Sequence, residues 1–101
     1  MKEPEDLDAL RRMIADVDEK IVSEIARRMK ISEAIGRLKA RRGLPIEDAA
    51  VEREVVRRAV DRAAEEGLDA NIVRSVFNLL IRHSKEIQRR QFPAEDSDTG
   101  T

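Results

Sequence analysis

LDALRRMIADVDEKIVSEIARRMKISEAIGRLKARRG, residues 7–43, is the stretch whose reading decides the fold. Its apolar residues Leu7, Leu10, Ile14, Val17, Ile21 and Ile25, then Ile35 and Leu38, recur at helical spacing, and the same steps of three and four carry the stripe through Arg28, Ser32 and Lys39. Pro4–Asp6 suit a helix start, and Gly43 followed by Pro45 forms a stop, with Arg41 and Arg42 favourably placed in the last turn. The predicted helix runs about 37 residues, or roughly 55 Å at 1.5 Å per residue. A compact domain of this size has a radius of gyration of only about 13 Å. The rest of the chain is too short to cover such a helix. Long exposed apolar stripes are unusual in soluble monomers, so the expected architecture is an intertwined homodimer with the two long helices packed together.

Working outward, Pro45-Ile46-Glu47-Asp48 reads as a loop, with Asp48 the N-cap of a second helix. That helix is expected to run to about Glu66, bury Val51, Val55, Val56, Ala59 and Ala63, and close at Gly67. Asp69 or Asn71 caps a third helix running to about Gln91, with Pro93 ending it. Its stripe, Val73, Val76, Phe77 and Leu80, continues into Ser84 and Gln88. No segment alternates apolar and polar residues with a period of two, so the fold class is all-α: three helices, the first very long. The division is one helical domain, 1–91, and a flexible acidic tail, 92–101.

Composition narrows the function. Charged residues form 41% of the 101, yet the net charge is −1, without the basic excess of a nucleic-acid binder. With no Cys and one His, thiolate chemistry and an obvious zinc site are absent. The acidic opening Met1-Lys2-Glu3-Pro4-Glu5-Asp6 is not a signal peptide, and no apolar run approaches the roughly 20 residues of a membrane span. The expectation is a soluble cytoplasmic protein.

The polar residues on the stripes are the candidate site. Cations and amides heading into a core are costly without partners, and no acid takes a matching position beside Arg28 or Lys39 on the first helix. The missing partner can be an anionic ligand. Arg28 and Lys39, eleven residues apart, lie within roughly 20° on one face, with Ser32 between them. Arg11, seventeen residues before Arg28, is rotated about 100° away, and in an intertwined dimer it can reach the partner's site. Ser84 and Gln88 share a face of the third helix, and Glu52 begins the second. Each has a plainer reading: a snorkelling Arg28, a dipole-favoured Lys39, a packing Ser84, a surface Gln88, a first-turn Glu52. His83 beside Ser84 invites a serine–histidine pair, but adjacent helical residues diverge, so His83 belongs to the surface.

The chain resembles the all-helical class of chorismate mutases over about Leu7 to Gln91. The resemblance is carried by Leu10-Arg11-Arg12-Met13-Ile14 with Val17-Asp18, by Ala26-Arg27-Arg28, and by Ile35-Gly36-Arg37-Leu38-Lys39. Pro45-Ile46-Glu47-Asp48, Glu52-Arg53, Gly67-Leu68-Asp69 and the Ser84–Gln88 pair complete it. It implies an intertwined homodimer with two equivalent sites, each taking one arginine, here Arg11, from the partner. It also implies the Claisen rearrangement of chorismate to prephenate, on the route to Phe and Tyr, without cofactor or metal. By this correspondence Arg28 and the partner's Arg11 clamp carboxylates, and Lys39 and Gln88 donate to the ether oxygen. Glu52 accepts from the ring hydroxyl with the Asp48 backbone nearby, and Ser84 positions a carboxylate. The pericyclic reaction needs only positioning of the substrate and stabilisation of charge on the breaking C–O bond.

One departure stands out. Many relatives carry an arginine just before the glutamate of the second helix, where an ungapped match puts Val51. Either that arginine is missing, or a longer loop gives its role and the glutamate's to Arg53 and Glu54. The ungapped register, which keeps Val55, Val56 and Ala59 in core positions, is preferred. Two other functions remain open. An isochorismate-pyruvate lyase has the same fold and a similar pocket, although Glu52 and Ser84 match the mutase pattern. A non-catalytic dimerisation module would hold Arg28 and Lys39 in structural ion pairs.

Overall fold

In the computed structural model, which describes residues 5–92, the chain is α1 (Leu7–Arg42), α2 (Ala49–Glu65) and α3 (Ala70–Arg89), with no strand among the described residues. Each helix starts on an aspartate whose carboxylate accepts a backbone N–H: Asp6 from Asp8, Asp48 from Val51 and Asp69 from Asn71. Asn71 lies inside the helical turn, so of the two candidate caps Asp69, with its extended backbone, takes the role. Helices α1 and α2 stop in the same way. Gly43 (φ 66°) and Gly67 (φ 72°) turn left-handed, and the next N–H, from Leu44 or Leu68, reaches back to the carbonyl of Lys39 or Ala63. Helix α3 ends at Arg89, two residues before the expected Gln91. There the N–H groups of Gln91 and Phe92 bond to carbonyls three residues back, tightening the chain into a turn. Residues 1–4 and 93–101, on which the Pro4 start signal, the Pro93 stop and most of the expected tail fall, lie outside the described residues.

Helix α3 packs against both α1 and α2, while α1 and α2 share no close backbone contact. The molecule is elongated, 66 × 26 × 19 Å, with a radius of gyration of 18.3 Å against about 13 Å for a compact chain of this size. The reason is α1, whose 36 residues extend about 54 Å, well beyond the 20 residues of α3 that pack on it. Buried residues are correspondingly few among those described: Ser32 and Gly36 on α1, Ala63 on α2, and Ser84, Ile87 and Gln88 on α3. The N-terminal stripe is exposed throughout, with Ile14 at 63%, Val17 at 53% and Ile21 at 51%.

The expected core of α2 needs correction. Ala63 is buried, Val55, Val56 and Ala59 are half-buried, and Val51 is exposed. Helix α2 leans on α3 alone, so its side toward α1 borders a cavity, and Val51 and Val55 line that cavity.

Helices α1 and α3 approach closely at Gly36. A Cβ placed there would sit 2.9 Å from Gln88 Cα and 2.8 Å from Gln91 Cγ. Only a residue without a side chain lets the backbone of α3 approach this closely, and the contact sets Gln88 level with Lys39, one turn further along α1. Among the described residues no helix is long and apolar enough to cross a membrane.

Candidate active site

A cavity of about 230 Å³ opens where the C-terminal half of α1, the first turns of α2 and the last turns of α3 converge. Its walls include Arg28, Ser32, Lys39, Asp48, Glu52, Ser84 and Gln88, so seven of the eight residues singled out in the sequence meet in one place.

Ser84 organises one end. Arg28 Nη1 donates to Ser84 Oγ at 2.8 Å, and Ser32 Oγ donates to the same oxygen, also at 2.8 Å. The Ser84 hydroxyl in turn lies 3.9 Å from Met29 Sδ, a weak acceptor. Lys39 organises the other end. Its Nζ donates to the Ile46 carbonyl at 2.8 Å and to Gln88 Oε1 at 3.0 Å. Because Oε1 of Gln88 faces the ammonium, its Nε2 remains available as a donor.

Neither Arg28 nor Lys39 takes part in an ion pair among the described residues. Burial pushes the Arg28 pKa below its ordinary value, since a guanidinium removed from water is harder to keep charged. An arginine nevertheless stays protonated in a protein, so the cavity holds two cations without a carboxylate partner, one of them fixed beside a hydroxyl relay. Such a site favours an anion with several acceptor oxygens.

Asp48 and Glu52 form the acidic side. The Asp48 carboxylate is engaged by the Val51 N–H at 3.2 Å, and Glu52 Oε1 meets Lys85 Nζ at 3.3 Å. Val51 and Glu52 line the cavity, whereas Arg53 and Glu54 do not. Glu54 is clasped by Arg57, whose Nε donates to it at 3.0 Å, and that pairing holds its carboxyl below the usual range. The positions of the ungapped register, Val51 and Glu52, are thus the ones on the cavity wall.

Arg11 is the residue the chain does not bring in. It lies on the exposed half of α1, about 25 Å along the helix from Arg28, beside Asp8 at 3.9 Å. His83 is on the surface, 3.6 Å from Glu86. Two contributors escaped the sequence reading. The Ile46 carbonyl is backbone and leaves no trace in residue type. Lys85 had a signal, since Ile81, Ser84, Lys85 and Gln88 fall on one helical face, but a lysine beside a stripe usually reads as solvated.

The larger depressions are lined differently. A cleft of about 710 Å³ between α2 and α3 shares Glu52 and Lys85 with the cavity and adds exposed guanidiniums, of which Arg57 is tied to Glu54 and Asp61 and Arg74 to Asn71. A groove of about 570 Å³ between α1 and α3 is almost wholly apolar, lined by Val17, Ile21, Ile25, Val76 and Phe77 among others.

The profile of the family described as chorismate mutase type II matches residues 10–89, which include every residue of this cavity. A chorismate mutase of Methanocaldococcus jannaschii is 31% identical over 86 residues, covering 85% of this chain and 87% of that protein. The bifunctional chorismate mutase/prephenate dehydratase of Escherichia coli K12 is 30% identical over 76 residues, 75% of this chain but only 20% of that longer protein. Among solved structures, a conserved hypothetical protein from Pyrococcus furiosus superposes with a TM-score of 0.65 at 32% identity, covering 85% of this chain and 99% of the other. A family profile spanning most of the helical chain and a relative of nearly its own length thus agree, and the chain belongs to the chorismate mutase type II family, an enzyme of the isomerase class.

Proposed function

We propose that the chain rearranges chorismate to prephenate, upstream of phenylalanine and tyrosine, in a homodimer whose two sites each borrow Arg11 from the partner. The observation that carries this reading is the pair of cations without carboxylate partners, Arg28 and Lys39, on the walls of a cavity whose other polar groups are hydrogen-bonded. Chorismate supplies what they lack: two carboxylates, a hydroxyl and an ether oxygen.

The chemistry requires no nucleophile and no proton transfer. The ether C–O bond breaks while a C–C bond forms, and negative charge gathers on the ether oxygen. Lys39 Nζ and Gln88 Nε2 donate to that oxygen. They are held in advance by the Ile46 carbonyl and by each other, so little reorganisation accompanies the reaction. Arg28 presents a planar fork to one carboxylate, with the Ser84 hydroxyl beside it, and the partner's Arg11 closes on the other. Ser32 fixes the orientation of Ser84. Glu52 accepts from the ring hydroxyl close to the Asp48 backbone. Together these contacts hold the side chain over the ring in a reactive conformer.

The dimer is supported by the exposed stripe of α1. Each of its large aliphatic side chains is worth about 1.5–3 kcal/mol when fully buried, and only another chain offers enough apolar surface along its length. The test is direct. Purified protein is given chorismate, and prephenate is measured alongside pyruvate release from isochorismate. Prephenate formation supports the reading. Pyruvate release without prephenate assigns the lyase instead, and neither product overturns both. If sites are shared, mixing inactive Arg11→Ala and Lys39→Ala chains restores activity toward about a quarter of the wild-type sites at full exchange. No recovery despite demonstrated exchange refutes sharing.

A further inference from the structure

Lys85 is built into the wall of the cavity, yet the rearrangement as derived gives it no role. Its side chain is only 23% exposed, and its Nζ lies 3.3 Å from Glu52 Oε1 and 3.7 Å from Glu47 Oε1. Glu47 also takes Arg89 Nη2 at 3.3 Å, so a short ladder of charges ties the α1–α2 loop and the start of α2 to α3. Lys85 is the ion-pair partner of Glu52 among the described residues, and the preceding residue, Val51, brings no charge.

The need for this contact follows from the charges opposite. Asp48 spends its carboxylate on the cap of α2, which leaves Glu52 as the acid on the cavity wall that no backbone N–H engages among the described residues. Across the cavity are Arg28 and Lys39, both without a carboxylate partner among the described residues. An unanchored Glu52 would be drawn to them and would neutralise the cations that receive the anion. A carboxylate held from behind keeps one oxygen free for a hydroxyl and leaves those cations uncommitted.

We infer that Lys85 is a positioning residue that acts through Glu52, holding the carboxylate on the α2–α3 side of the cavity and away from Arg28 and Lys39. This rests on the proposed reaction, and Lys85 itself does not touch substrate.

The test is a double-mutant cycle in the full chain with Lys85→Met, Lys85→Arg, Glu52→Gln and the Glu52→Gln/Lys85→Met pair. For Lys85→Met the expected result is a KM for chorismate raised about 10-fold with a smaller change in kcat. Lys85→Arg recovers most of that loss. The double variant matches Glu52→Gln alone, because a residue acting only through Glu52 has nothing left to do. Multiplying effects overturn the inference, as does an unchanged KM in Lys85→Met. If the wild type does not rearrange chorismate, the proposed reaction fails instead, and the crystal structure of Lys85→Met decides this inference independently. Glu52 swung into contact with Arg28 or Lys39 supports it, and an unmoved Glu52 overturns it.

Discussion

The two halves of α1 obey the same periodicity and meet opposite fates. Beyond Arg28 the helix packs on α3, buries Ser32 and Gly36, and brings Arg28 and Lys39 to the wall of the cavity. Before it, Leu10, Ile14, Val17 and Ile21 are presented to solvent. The apolar half is thus exposed, and the buried half is where polar residues interrupt the stripe. The contrast teaches that the stripe serves two surfaces. One is an intramolecular contact that borders the cavity, and the other, left uncovered by this chain, is the surface that the proposed dimer would bury.

The sharpest way to break that contrast is to disable the polar half alone. Lys39→Ala should lower kcat by about 10³-fold, the scale for losing a preorganised donor to developing charge, while circular dichroism and Tm stay close to wild type. An active Lys39→Ala enzyme would remove the functional half of the comparison. Disabling the apolar half comes next. Ile14→Glu with Ile21→Glu should shift the protein to a monomer in analytical ultracentrifugation and lower activity by about 10²-fold, since losing a carboxylate-binding arginine costs a few kcal/mol. A dimer that survives both charges would place the interface elsewhere.

Gly36→Ala probes the boundary between the halves. The added methyl meets backbone at Gln88, and a small-to-large change at a tight contact costs about 1–3 kcal/mol. In a chain of this size each kcal/mol lowers Tm by about 4–8 °C, and displacement of Gln88 should lower kcat as well. The smallest effect is expected for Arg53→Ala. Arg53 faces the outer cleft between α2 and α3, and as a surface change it should leave kcat/KM within about twofold of wild type. A loss comparable to that of Lys39→Ala would revive the longer-loop register.

Much of the fold was legible because helix signals are local. Asp6, Asp48 and Asp69 cap, Gly43 and Gly67 stop, and the stripe of α1 extends as far as its spacing requires. The core of α2 was less legible. Val51 fits a helical stripe but lines a cavity, because periodicity identifies a face without saying whether that face meets protein or an opening. For the site, Arg28, Ser32 and Lys39 could be placed on one side of a single helix, and the Ser84–Gln88 pair on another. The Ile46 carbonyl was not legible, and Lys85 could be placed on the face of Ser84 and Gln88 without its pairing, since both contacts depend on what lies across the gap.

By itself the sequence determined three helices, the approximate positions of their ends, and two cations on an apolar stripe. These follow from a rise of about 1.5 Å and a turn of about 100° per residue, which any reader of the chain can apply. Only the tertiary structure decided that Ser84 meets Arg28 across 56 residues and Gln88 meets Lys39 across 49. It also decided that Lys85 stands behind Glu52. Those pairings depend on how closely two helices approach, here set by the missing side chain at Gly36, and a helical period carries no information about that distance.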